Sequence, residues 1–96
     1  MEEEFILPID GILDLHAFLP KEIGTLVPAY LSACRDRGLM EIRIIHGKGT
    51  GNIRRSVHAL LGRLDLVSSF RPAGEEEGGW GATLVTLKQK RSPFTP

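Results

Sequence analysis

The run HGKGTG, residues 46–51, places three glycines in six positions and joins two stretches of different periodicity. Before it, EIRIIH (41–46) has the isoleucine-rich pattern of a buried strand. After it, Ile53, Val57, Leu60, Leu61 and Leu64 recur at helical spacing. A strand feeding a glycine loop and then a helix is a βα unit, and ordering so much permissive backbone has an entropic cost that needs a reason.

The rest of the chain extends that unit. GILDLH (11–16), bounded by Pro8 and Pro20, reads as a short buried strand whose Asp14 and His16 share one face while Leu13 and Leu15 share the other. Pro20 suits the first turn of a helix carrying the stripe Ile23, Leu26, Val27, Tyr30, Leu31 and Cys34. Pro28 should kink that helix or confine its regular part to the second half, and Gly38 should end it. A third strand is predicted over 66–71 and a fourth over ATLVTL (82–87).

The order strand, helix, strand, helix, strand, strand predicts an α/β two-layer sandwich, βαβαββ, with a four-stranded mixed sheet and two helices on one face. The first three strands should run parallel and the last pair antiparallel, while the strand order is not readable. One domain over 10–88 is expected, with flexible flanks at 1–9 and 89–96. Ninety-six residues, 42% hydrophobic, suffice for a single core without disulfides.

Cys34 has no partner for an internal bridge and stands on the core stripe, so it reads as an inert buried thiol in a reducing, cytoplasmic setting. No apolar run approaches the ~20 residues of a membrane span. The start, MEEEFILPID, is acidic where a secretion signal would be basic.

Twelve basic and twelve acidic residues cancel, but they are segregated. Arg43, Lys48, Arg54, Arg55 and Arg63 fall in 42–64 without an acid among them, whereas Glu2, Glu3, Glu4 and Glu75, Glu76, Glu77 form acidic clusters. One positive side is therefore compatible with a zero sum, as is a merely solvated surface.

Topology predicts that Asp14 and His16, the HGKGTG loop, and GGWGA (78–82) meet at the carboxyl edge of the sheet, where ligands of open α/β sheets bind. Backbone N–H groups of Gly47, Gly49 and Gly51, the charge of Lys48, and the N-terminus of the next helix suit a phosphate. Thr50 fits that loop or a plain helix N-cap. Walker and dinucleotide spacings are absent from the loop. Asp14 and His16 fit a hydrogen-bonded pair at a strand end, or a group that activates a 2′-hydroxyl or a water, with His46 protonating the leaving oxygen.

Arg54 and Arg55, with His58 a turn further on the outer face, can meet a phosphate backbone or water. Trp80, between Gly79 and Gly81, can stack on a base or cap the hydrophobic edge. A zinc site lacks an obvious fourth ligand beside Asp14, His16 and His46, while a loosely held Mg²⁺ or Mn²⁺ on Asp14 is compatible.

LDLH (13–16), HGKGTG (46–51) and GGWGATLV (78–85), in this order, resemble the small MutS-related (Smr) domain over about residues 10–88. The resemblance implies a sandwich like the C-terminal domain of translation initiation factor 3. It also implies an endonuclease that nicks DNA or cleaves RNA, found alone or fused to MutS-type proteins. Carried onto this chain, the family's aspartate and histidine are Asp14 and His16, and its phosphate-facing loop is residues 46–51. Family members usually have glycine where Ala17 stands here. Nucleic acid, including branched or structured forms, is then the expected partner of a monomer, with a non-catalytic DNA- or RNA-binding module as one alternative and a protein-contacting accessory domain as another.

Overall fold

The computed structural model of the chain describes residues 8–47, 51–74 and 81–89. Its strands are β1 (Ile12–Asp14), β2 (Glu41–Ile45), β3 (Val67–Pro72) and β4 (Ala82–Leu87), and its α-helices are α1 (Ile23–Asp36) and α2 (Asn52–Leu61). The sheet order is β1-β2-β4-β3. β1 and β2 pair in parallel, and β4 runs antiparallel to both β2 and β3. The first three strands thus share a direction, as expected, and β4 enters between the second and third.

Leu13, Ile42, Ile44, Val85 and Leu87 face one side of the sheet and are buried with Val27, Tyr30 and Leu31 of α1 and Val57 and Leu61 of α2. Both helices therefore cover the same face, and each fully buried aliphatic side chain contributes about 1.5–3 kcal/mol. The opposite face carries Ile12, Arg43, Leu84 and Arg71 in one cross-strand row.

Two local expectations change. The first strand ends at Asp14, and Leu15–Ala17 forms a 3-10 turn capped by the Asp14 carboxylate, which accepts the His16 backbone N–H. α1 runs regularly on both sides of Pro28. Proline deprives the Gly24 carbonyl of its helical donor, but Gly24 is exposed, with open space where a Cβ would stand, so water can replace the lost bond.

A 3-10 turn, Pro20–Glu22, leads into α1. Gly38, at φ +81°, ends the helix by donating to the Arg35 carbonyl while Leu39 donates to that of Cys34. Tyr30 ties α1 to the first strand: its buried hydroxyl accepts from Gly11 N (3.1 Å) and donates to the Ile12 carbonyl (3.2 Å). Burial pushes the Tyr30 phenol up to about 12 and the Cys34 thiol upward as well. No helix among the described residues is long and apolar enough to cross a membrane.

Candidate nucleic-acid interface

Register brings the chemistry to one edge. Asp14, Ile45 and Ala82 are aligned across β1, β2 and β4, so the 3-10 turn after β1, the loop after β2 and the entry to β4 are neighbours. The Gly81 carbonyl locks this junction by accepting from the backbone N–H groups of His46 and Gly47, each at 2.9 Å. Lys48, Gly49, Thr50, Gly79 and Trp80 lie outside the described residues.

Asp14 Oδ1 accepts two hydrogen bonds from His16, one from the backbone N–H (2.9 Å) and one from ring Nδ1 (2.8 Å). These two bonds, the backbone one first, hold the Asp14 carboxyl below the usual carboxylate range. A carboxylate only accepts, so Nδ1 carries the proton and the Nε2 of a neutral His16 ring keeps a lone pair. That nitrogen faces the loop: a Cβ built on Gly47 would stand 2.8 Å from it. Gly47 has φ +81°, a conformation open to glycine. Ala17 needs no such conformation, since no described non-glycine residue has positive φ.

His46 departs from its expected place at the rim. It continues the alternation of Ile42 and Ile44 and so points into the helix-covered layer, where it is 7% exposed, whereas Asp14 lies on the open side of the sheet. Its Nδ1 donates to the Gly47 carbonyl (2.9 Å) and its Nε2 meets Thr83 Oγ1 (2.8 Å). Both ring nitrogens are engaged within the protein, so His46 does not stand beside His16 at the rim. The Gly47 N–H likewise points within the protein, donating to the Gly81 carbonyl.

His58 is also not on the outer face of α2. Its ring packs against Phe70 (centroids 5.1 Å apart) and its Nε2 meets Thr83 Oγ1 at 2.8 Å. Burial, then the charges of His46 and Arg54, pull its pKa down. Positions 54, 57, 58 and 61 keep helical spacing, so widening the stripe by one flank would have found it. Likewise Thr83 shares its parity with Val85 and Leu87, a signal of its inward direction.

Gly51, at φ +87°, is the N-cap of α2, without a side-chain cap. A Cβ there would lie 3.6 Å from Arg55 Nη1 and 3.7 Å from Arg54 Nη2. Both guanidiniums thus gather at the helix end that follows the loop, and they add full charges to its partial positive one. Arg55 Nη2 donates to Asn52 Oδ1. Among the described residues no three His, Cys, Asp or Glu side chains cluster so as to hold a metal ion.

The Smr domain family matches residues 13–88, most of the chain and all three motif regions. The chain belongs to the Smr domain family. Among proteins similar to this Smr domain, Endonuclease MutS2 of Halothermothrix orenii is 47% identical over 80 residues, 83% of this chain and 10% of that protein. Endonuclease MutS2 of Thermomicrobium roseum is 46% identical over 59 residues, 62% of this chain and 7% of that protein. The Smr domain thus spans a tenth or less of the length of these relatives.

The Smr domain of Thermus thermophilus MutS2 superposes with a TM-score of 0.75 at 38% identity, covering 80% of this chain and 96% of that one. YdaL, a stand-alone small MutS-related protein of Escherichia coli, gives 0.75 at 32%, covering 85% and 67%.

Proposed function

We propose that this Smr domain is a nucleic-acid endonuclease that breaks phosphodiester bonds at the edge where β1, β2 and β4 meet. The observation that carries the reading is the Asp14–His16 pair, fixed with Nε2 bare and directed at Gly47 of the glycine loop. The name Endonuclease MutS2, borne by relatives of which this chain matches one segment, supports it.

In this reading the phosphate sits between the loop and the guanidiniums of Arg54 and Arg55, held by charge and by the start of α2. His16 Nε2 takes a proton from a 2′-hydroxyl or a water as that oxygen bonds to phosphorus. The bond to the leaving oxygen then breaks, and that oxygen gains a proton from His16 or from solvent. Asp14 keeps the ring oriented and stabilises the imidazolium, and such general-base catalysis is worth roughly 10²–10⁴-fold.

One observation favours a second reading, a grip without chemistry. His46 is committed to Gly47 and Thr83, which leaves His16 as the sole described imidazole at the rim. Incubating supercoiled plasmid and structured RNA with the wild type, Asp14→Ala and His16→Ala, with and without Mg²⁺ or Mn²⁺, separates the two. Cleavage by the wild type that both variants lose supports the nuclease. Binding by a wild type that leaves both substrates intact establishes the grip instead.

A further inference from the structure

Thr83 is fully buried on β4, yet its hydroxyl meets two imidazoles, His46 Nε2 and His58 Nε2, each at 2.8 Å. The proposed cleavage step uses none of the three groups. Their directions follow from the far end of His46. Its Nδ1 faces the Gly47 carbonyl oxygen, which only accepts, so Nδ1 carries the proton. The Nε2 of the neutral ring must then accept, and the proton it receives is that of the Thr83 hydroxyl. Having donated, Thr83 Oγ1 accepts from His58 Nε2–H. For neutral rings this is the one consistent orientation: His58 to Thr83, Thr83 to His46, His46 to the carbonyl of Gly47.

Thr83 is buried and His58 half-buried. His58 stands edge-on to His46, with centroids 6.2 Å apart and planes at 83°, and also packs against Phe70. The chain ends on the residue opposite His16. The Gly47 N–H donates to Gly81 while its carbonyl accepts from His46, and these two bonds fix the backbone that His16 Nε2 faces.

We propose that Thr83 and His58 are positioning residues: their one-way hydrogen-bond chain holds His46 in the Nδ1–H tautomer and thereby sets Gly47, and the start of the phosphate loop, against His16. The consequence for cleavage rests on the endonuclease reading, whereas the consequence for the loop does not. Thr83→Val keeps the shape of the side chain and removes the donor to His46 Nε2, leaving a buried acceptor unpaired. The His46 ring is then free to exchange tautomers and release the Gly47 carbonyl.

The test is ¹H–¹⁵N correlation of the imidazoles and of the Gly47 amide, paired with the affinity for a short single-stranded oligonucleotide. Wild type should show His46 protonated at Nδ1 and bare at Nε2, with His58 protonated at Nε2. Thr83→Val should abolish that His46 pattern, move the Gly47 amide and weaken oligonucleotide binding about tenfold, while Thr83→Ser restores all three. His58→Phe, which keeps a ring against Phe70, should move the Gly47 amide in the same direction, and it decides the matter if Thr83→Val does not fold. A wild-type His46 protonated at Nε2, or a Gly47 amide unmoved in both Thr83→Val and His58→Phe, overturns the proposal. Lack of cleavage by the wild type counts against the nuclease and leaves this tautomer result to stand on its own.

Discussion

Gly38 and Gly47 form a matched pair. Both have φ +81°, but a Cβ at Gly38 would meet nothing within 4 Å, whereas one at Gly47 would lie 2.8 Å from His16 Nε2. Alanine at either position adopts left-handed backbone at a cost of about 1–2 kcal/mol. For a domain of this size each kcal/mol lowers Tm by roughly 4–8 °C. At Gly47 a second cost is added. Ordinary contact begins near ~3.5 Å, so the ring must withdraw by about 0.7 Å. Moving away from the loop by that much would compress or break the 2.8 Å bond to Asp14, worth less than about 1 kcal/mol at this exposed position.

Gly38→Ala should therefore lower Tm and leave the His16 imidazole resonances and any cleavage at wild-type values. Gly47→Ala should lower Tm at least as much, shift both His16 ring nitrogens and reduce cleavage at least tenfold. Thermal unfolding, imidazole spectra and a cleavage time course on the two variants measure all of this. Gly47→Ala with an unmoved His16 spectrum and undiminished cleavage would refute the claim that this glycine makes room for the His16 ring.

Other outcomes follow from the same contacts. The Asp14 carboxyl is held lower in the folded state than its ordinary value, so its ionised form stabilises the fold above about pH 3.9 and that stabilisation fades as pH falls through the folded value. The difference in urea midpoint between wild type and Asp14→Asn should thus be steady near neutrality and shrink below about pH 4. Because Asp14 is more than half exposed, the corresponding difference in unfolding free energy should be less than about 1 kcal/mol. Tyr30→Phe leaves the Gly11 N–H facing an apolar ring edge and should cost about 1–3 kcal/mol by urea unfolding. Replacing both Arg54 and Arg55 by Gln should flatten the salt dependence of nucleic-acid binding, lowering the slope of log K against log salt by about two if each meets a phosphate.

Much of the architecture was legible because the two periodicities seldom collide. The isoleucines of β2 and the alternation of β4 read as strands, and Gly38 stopped α1 where its positive φ required it. Pro28 was misleading because its effect depends on the Gly24 carbonyl, whose access to solvent is a property of the folded helix. Strand order was hidden because both connections around β4 are compatible with the same sequence of elements.

At the site, the shared edge was legible and the faces were not. Placing Asp14, His16 and His46 at strand ends brought them together in prospect. Alternation along β2 sends His46 inward, and the early end of β1 lets His16 turn back over the edge toward Gly47. Thr83 escaped notice, and His58 was placed on the outer face of α2, because a polar residue on a core face signals little until its partner, distant in sequence, is beside it.

The shared edge itself is most directly tested by following the amide signals of ¹⁵N-labelled protein during titration with a short oligonucleotide that resists cleavage. The largest shifts should fall at Asp14, His16, Gly47, Arg54, Arg55 and Gly81. Shifts concentrated instead on the open face, at Ser69, Leu84 and Thr86, with that edge unperturbed, would contradict a phosphodiester held where the Asp14–His16 pair meets the glycine loop.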